Sequence, residues 1–442
     1  MNIIAKKFLR AHRQTIFLLS IMILTGCSSS VPEGQITATA NPTEHSSPTV
    51  PTSFVTVVPL TEETTVLPPE TILQFQPFEI TSDLPVAAKP MDALVLCGDL
   101  TVQLVRFTPK LNTETIQKIT GDLFCLETSP DGKWIVYEQD SQASPTGSWL
   151  VVQSIDGQQK KVPENSEWVN FGDYVWLDNQ RLIFNNFINP PDVQRLLHDP
   201  AYPMVVINPF TGEQSELSSD YPGLTVGDGS AGEMGLGYSD VAYDPSLNLV
   251  IFPARDEEYN YYIVLWDWHS QTVLAKVESQ SRGFGRYPVW SPDATQFAVA
   301  VTNAIKDQRG IDEWYRVSRE GQVEQLTHFG DYFSSSEIGA AYNWSPDGRK
   351  LAFWIDLSPS PCPGLRLAIL DVTTKEVTNT CLPGTRKYAL PPLWSLDSRY
   401  LIIEDYSNPP IKTILVDTEN GRAFDITSHV GDSRPIGWLA SP

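Results

Sequence analysis

Residues 344–354 read WSPDGRKLAFW: a tryptophan, a polar turn, a basic pair and a short apolar run. Nearly the same phrase stands at 128–137 (TSPDGKWIVY), 290–300 (WSPDATQFAVA) and 394–403 (WSLDSRYLII). Degraded copies follow Trp176 and Tyr243, and a last one opens at Trp438. Aligned on the residue before the turn, successive copies lie 44–67 residues apart, and most of these spacings fall in the range typical of repeat architectures.

The copy at Trp344 shows the layout best. AAYNW reads as a strand, SPDG as a turn and KLAFW as a second strand. LRLAILDV and EVTNTCL follow as a third and fourth, joined by TTK. Similar second hairpins recur at 149–162, 204–217 and 262–277. Proline presets φ in such a turn, while Asp and Gly tolerate turn conformations and Asp accepts hydrogen bonds from nearby amides. Asp131, Asp293, Asp347 and Asp397 are therefore read as turn-shaping residues, each in a different repeat, and not as a shared metal site. Runs such as KLAFW barely alternate, as strands covered on both faces do. Four-stranded sheets stacked face to face around an axis meet that condition, with Trp176, Trp290, Trp344, Trp394 and Trp438 filling the space between neighbours. The expected fold is thus all-β, a β-propeller of four-stranded blades. Six units are complete. The lone strand at 435–442 and the three strands at 93–120 together make a seventh, closed by both termini, with six or eight blades as alternatives.

The phrase and its second hairpin resemble the PD40 or TolB-type repeats of bacterial envelope propellers. They are also similar to the propellers of the prolyl oligopeptidase and dipeptidyl peptidase families. The resemblance covers residues 94–442 and is clearest at Ser129–Gly132, Ser291–Asp293 and Ser345–Gly348. A peptidase would need a G-x-S-x-G nucleophile elbow, and none occurs.

The N-terminus carries a separate signal. Lys6, Lys7, Arg10 and Arg13 precede the apolar run TIFLLSIMIL (15–24), which is short for a membrane span. Leu24-Thr25-Gly26-Cys27 then resembles the lipobox of bacterial lipoproteins. That resemblance implies a signal peptide over 1–26, lipidation of Cys27 and an exported, membrane-anchored protein. Residues 27–90 are rich in Pro, Ser and Thr and read as a disordered tether, whose second half, 66–80, is apolar enough to lie against the domain at 91–442. In an exported chain, Cys97, Cys125, Cys362 and Cys381 are disulfide candidates. Short loops favour Cys97–Cys125 and Cys362–Cys381, with buried free thiols as the alternative.

The net charge of −22 argues against nucleic acid as a partner. His198, His269, His328 and His429 are scattered, without the spacing of a metal or zinc-hydrolase motif, and no cofactor motif is read. The segments that break the repeat, 186–203 and 227–237, are the expected recognition loops, because long loops on a rigid scaffold often carry binding. The expected function is a non-enzymatic binding module for a protein, peptide or glycan. The alternatives are a carbohydrate-active enzyme with carboxylates around a central channel, which needs a converging pair, and a structural part of an envelope assembly.

Overall fold

The computed structural model describes residues 73–84, 90, 92–98, 101–107, 111–118, 123–140, 148–163, 174–184, 204–217, 242–255, 260–280, 288–384, 391–406, 410–431 and 433–441. Cys27, the segment read as a signal and the tether up to residue 72 lie outside them. No helix among the described residues is long and apolar enough to cross a membrane.

Strand is the dominant element among the described residues, and helix is confined to single short turns. Two short strands, β1 (Leu73–Phe75) and β2 (Glu79–Thr81), come first. β3 (Ala93–Cys97), β4 (Thr101–Arg106) and β5 (Asn112–Lys118) follow. Next is an antiparallel sheet of β6 (Leu123–Thr128), β7 (Trp134–Asp140), β8 (Ser148–Ser154) and β9 (Gln159–Pro163). A second sheet comprises β10 (Tyr174–Trp176), β11 (Leu182–Phe184), β12 (Met204–Ile207) and β13 (Gln214–Leu217). A third is formed by β14 (Ala242–Tyr243), β15 (Leu249–Arg255), β16 (Tyr261–Asp267) and β17 (Thr272–Ser279).

Two further four-strand meanders share one extended sheet. The first is β18 (Val289–Trp290), β19 (Gln296–Lys306), β20 (Arg309–Ser318) and β21 (Val323–Gln325). The second is β22 (Ser335–Trp344), β23 (Lys350–Ser358), β24 (Arg366–Asp371) and β25 (Val377–Pro383). A parallel contact between Ile311 and Ser336 joins them. β26 (Leu393–Trp394), β27 (Tyr400–Asp405), β28 (Lys412–Asp417) and β29 (Arg422–Asp425) form the next sheet, followed by the one-turn helix α1 (Thr427–Val430). The final strand, β30 (Arg434–Leu439), pairs antiparallel with β3, placing Leu94 opposite Trp438, so it heads the sheet β30–β3–β4–β5.

The apolar residues sort into clusters that each lie between two of these sheets. Val95, Leu104, Ile135 and Tyr137 join the sheet headed by β30 to that of β6–β9. Val136, Val152, Leu182 and Ile207 form the next cluster, and Val206, Tyr243 and Phe252 another. Ile251, Leu265, Phe297 and Val299 lead on to Trp314, Tyr342, Trp344 and Phe353, then to Trp354, Leu367, Leu401 and Ile414. A further cluster brings Tyr400, Leu415 and Phe424 against Leu94, Phe107 and Trp438, back at the sheet headed by β30. β23 shows why its run does not alternate: Leu351, Phe353 and Ile355 enter one cluster, Ala352 and Trp354 the next. Burying one such large side chain stabilises by roughly 1.5–3 kcal/mol.

Residues 73–81, within the stretch read as tether, add to the outside of two sheets. β1 pairs parallel with β25 and β2 parallel with β29. Between them the amides of Gln76 and Phe78 donate to the carbonyls of Asn379 and Thr380, both at 2.9 Å. Phe78 is buried beneath this strap, packed with Leu382 and Ala423.

Candidate functional site

The repeated turn is held by a serine as much as by its aspartate. Ser129 Oγ donates to Asp131 Oδ1 at 2.7 Å and accepts from the Trp134 amide at 3.0 Å. Ser291 does the same with Asp293, at 2.6 Å, and Gln296. Ser345 and Ser395 repeat it with Asp347 and Asp397. The aspartates in turn accept from the amides of Lys133, Thr295, Arg349 and Arg399. All four serines are buried. Burial alone would raise Asp131, but the Ser129 hydroxyl and Lys133 hold its carboxyl below the usual range. These groups are satisfied by their own turns.

In the β14–β15 turn the two residue types exchange places. Asp244 sits where the serine stands elsewhere, accepts from the Leu249 amide at 2.6 Å, and takes the hydroxyl of Ser246. It is fully buried and binds Arg319, from the β20–β21 turn, at 2.6 Å.

Neighbouring turns also bond to one another. The Asp131 amide donates to Asn179 Oδ1 (2.9 Å), Arg181 to the Pro245 carbonyl, and the Asp347 amide to Ser398 Oγ (2.9 Å). Leu396 donates to Asp92 and Ala440 to the Gly132 carbonyl, at 3.0 and 2.9 Å. The indole N–H groups of Trp344, Trp394 and Trp438 donate to the carbonyls of Val289, Asn343 and Leu393, each on the first strand of the preceding four-strand unit. Trp176 is buried and its amide donates to Glu127, whereas Trp290 is half-buried against Phe297. At Gly437 a Cβ would lie 2.1 Å from Thr128 Oγ1, so only glycine lets β30 cross β6 this closely.

At the opposite end of the sheets, two meanders carry a raised ridge. β19 and β20 run 11 and 10 residues and close through Asp307 and Gln308, both at positive φ. Ile305 beside this tip is 56% exposed, and Tyr332, in the segment leading to β22, is 52% exposed. Two buried carboxylates support the ridge from below. Asp312 accepts from Thr302 Oγ1 (2.8 Å) and the Ile338 amide (2.9 Å), while its own amide donates to Ser336 Oγ. Glu313 accepts from Thr327 Oγ1 (2.7 Å) and the Gly330 amide (2.8 Å), and Lys306 Nζ donates to the Gly330 carbonyl (2.7 Å). Burial pushes the Glu313 carboxyl up to about 7, against the pull of Thr327 and Gly330. These oxygens hold neighbouring backbone and hydroxyl groups in place.

Beside the ridge, the connection from β23 to β24 is pinned by a disulfide between Cys362 and Cys381, with Cα atoms 5.5 Å apart. Cys97 is also disulfide-bonded, and the side chain of Cys125 lies outside the described residues. The expected recognition segments 186–203 and 227–237 lie outside them too. In the β22–β23 register, Glu337 stands directly opposite Asp356. Among the described residues no group of His, Cys, Asp and Glu could hold a metal ion.

Sequence reading did not single out the buried serines, Asp312 or Glu313. The available signal was Asp-Glu inside the strand GIDEWYRV, where two adjacent acids must face opposite covered sides.

No family model and no curated protein matches the chain. Among solved structures it is similar to TolB from Acinetobacter baumannii, at 14% identity over 85% of this chain and 89% of that one, with a TM-score of 0.40. It is also similar to an oligogalacturonate lyase in complex with manganese, at 11% identity over 79% of this chain and 85% of that one, TM-score 0.45. An oligogalacturonate lyase from Vibrio parahaemolyticus matches at 10% identity over 79% of this chain and 86% of that one, TM-score 0.46. Likenesses this distant say nothing of what the present chain binds or transforms.

Proposed function

We propose that the four-stranded sheets are the seven blades of a closed β-propeller, and that this propeller is a non-enzymatic binding module of the cell envelope. The observation that carries the reading is the cyclic order of the core clusters, the last of which returns to the sheet headed by β30. One end of the sheets is tied together by turn-to-turn bonds. The other end carries the connections that depart from the repeat, including the exposed Ile305 and Tyr332. A rigid ring that fixes such connections suits recognition of a protein or peptide. Fold by itself does not assign function, so the test is direct. Wild-type protein and an Ile305→Asp/Tyr332→Ala variant serve as baits for detergent-solubilised envelope proteins. The reading expects a partner retained by the wild type and lost by the variant; identical capture profiles refute it.

The resemblance at Leu24–Cys27 extends this proposal to a lipid anchor on Cys27. Cys27→Ala then releases the protein from membranes, and unchanged membrane retention refutes the anchor. A second reading, glycoside cleavage, has the Glu337–Asp356 register pair in its favour, since directly opposed residues have Cβ atoms about 5 Å apart. Retaining glycosidases need two carboxyl groups about 5–5.5 Å apart, which a pair on one face of a sheet can reach only if both side chains turn toward each other. It requires hydrolysis of an oligosaccharide that Glu337→Gln abolishes.

A further inference from the structure

A groove of about 600 Å³ lies between the β6–β9 and β10–β13 sheets, at the turn end and away from the ridge. It is open and shallow, and is lined by Asp131, Lys133, Trp134, Asn179, Gln180, Asn208, Phe210 and Thr211.

Its aromatic wall is peculiar to this pair of sheets, where both rings also pack against the core cluster of Val136, Val152, Leu182 and Ile207. Trp134 occupies the position held by Gln296 and Lys350 in other turns, and Phe210 the one held by His269 and Thr373. The two rings meet edge to face, with centroids 4.9 Å apart, and both are only half-buried.

The polar lining is fixed in advance. Asn179 Oδ1 accepts from the Asp131 amide, and Asn208 Oδ1 from the amides of Phe210 and Thr211. Both amide groups are thereby oriented, and their NH2 donors stay outside these turn bonds. Gln180 and the Thr211 hydroxyl add further neutral hydrogen-bonding groups. Only two lining residues are charged, and they cancel: Lys133 Nζ lies 3.0 Å from Asp131 Oδ2.

We propose that this groove binds a neutral saccharide, with one pyranose face against the Trp134–Phe210 wall and its hydroxyls on Asn179, Gln180 and Asn208. Sugar C–H groups carry partial positive charge and are attracted to the negative face of an aromatic ring. The Asn179 and Asn208 amides, held in place before binding, suit hydroxyls that both donate and accept, at little ordering cost, and Gln180 adds a third amide. With its one charge pair closed on itself, the groove offers a charged ligand no counter-ion. The site is independent of the ridge and stands whether or not a protein partner docks there.

The test is titration calorimetry of the folded protein with cellotetraose, maltotetraose and chitotetraose, and with tetragalacturonate as the charged control. At least one neutral oligosaccharide binds saturably with a Kd of about 1 mM or tighter. Trp134→Ala weakens it about tenfold or more, Gln180→Ala about threefold, and Trp134→Phe much less than Trp134→Ala. Tyr332→Ala, at the opposite end, changes nothing. If Trp134→Ala does not fold, Gln180→Ala and Trp134→Phe carry the comparison. The proposal is overturned if no neutral oligosaccharide binds at about 10 mM, if tetragalacturonate binds more tightly than the neutral set, or if binding is indifferent to the substitutions at 134 and 180.

Discussion

Arg319 grips the carboxylate of Asp244 at 2.6 Å across two neighbouring sheets, and Asp244 is wholly out of reach of solvent. The pair exists because a serine and an aspartate changed places in one turn. The exchange put a charge where the other copies bury a hydroxyl, and the guanidinium answers it.

Removing the guanidinium alone leaves a buried charge without its partner. Arg319→Met therefore destabilises by about 2–4 kcal/mol. Adding Asp244→Ser and Ser246→Asp restores the ordinary turn and recovers most of that loss. Urea denaturation of the single, double and triple variants measures it, and strictly additive effects contradict the coupling.

Glu313 gives the fold a pH dependence of definite sign. Its carboxyl ordinarily titrates near 4.5 and is pushed up to about 7 in the folded protein. Between those values the folded state holds the proton more tightly than the unfolded one, so stability falls as pH rises from 4.5 to 7. The upper bound is roughly 3 kcal/mol. Asp244 acts oppositely: burial alone would raise it, but Ser246, the Leu249 amide and Arg319 lower it, so its contribution is lost as pH falls below its ordinary 3.8. Thermal melts from pH 4 to 8 should show the decline for wild type and a flatter profile for Glu313→Gln.

The Cys362–Cys381 bond closes a loop of sequence separation 19. Losing it in a Cys362→Ser/Cys381→Ser variant costs about 3 kcal/mol if the effect is chain entropy in the unfolded state. Peptide mapping of the non-reduced protein should also find Cys97 joined to Cys125, as loop length favours.

The strap over β25 and β29 predicts a sharp difference between two truncations. Starting the chain at residue 67 leaves stability unchanged, whereas starting it at 85 uncovers two strand edges and the site of Phe78. Phe78→Ala alone should cost about 3 kcal/mol. Aggregation of the shorter form on warming, followed by light scattering, is the expected sign of the bared edges.

The repeat made the sheets legible because WSPDGRKLAFW carries turn chemistry and doubly covered strands in one phrase. The pairing of β30 with β3 was readable from a lone strand at one end of the repeat and three strands lacking a first at the other. What escaped was set by partners far away in sequence. Nothing in Leu73–Phe75 announces that its partner is Val377–Asn379. Glu313 looked like any acid until its strand proved covered on both sides. The groove at Trp134 joins three turns, and no single phrase contains it.

The bond between β3 and β30 also imposes an order of events on synthesis. β3 leaves the ribosome early, but the strand that completes its sheet follows more than three hundred residues later. Through that interval Ala93–Cys97 has β4 on one side and nothing on the other. Such non-local closure is slow, and a strand edge that waits can pair with the wrong chain. A chain cut short before Trp438 would carry β3 with one edge unpaired, and keeping that edge from its neighbours until β30 arrives lowers the risk of wrong pairing.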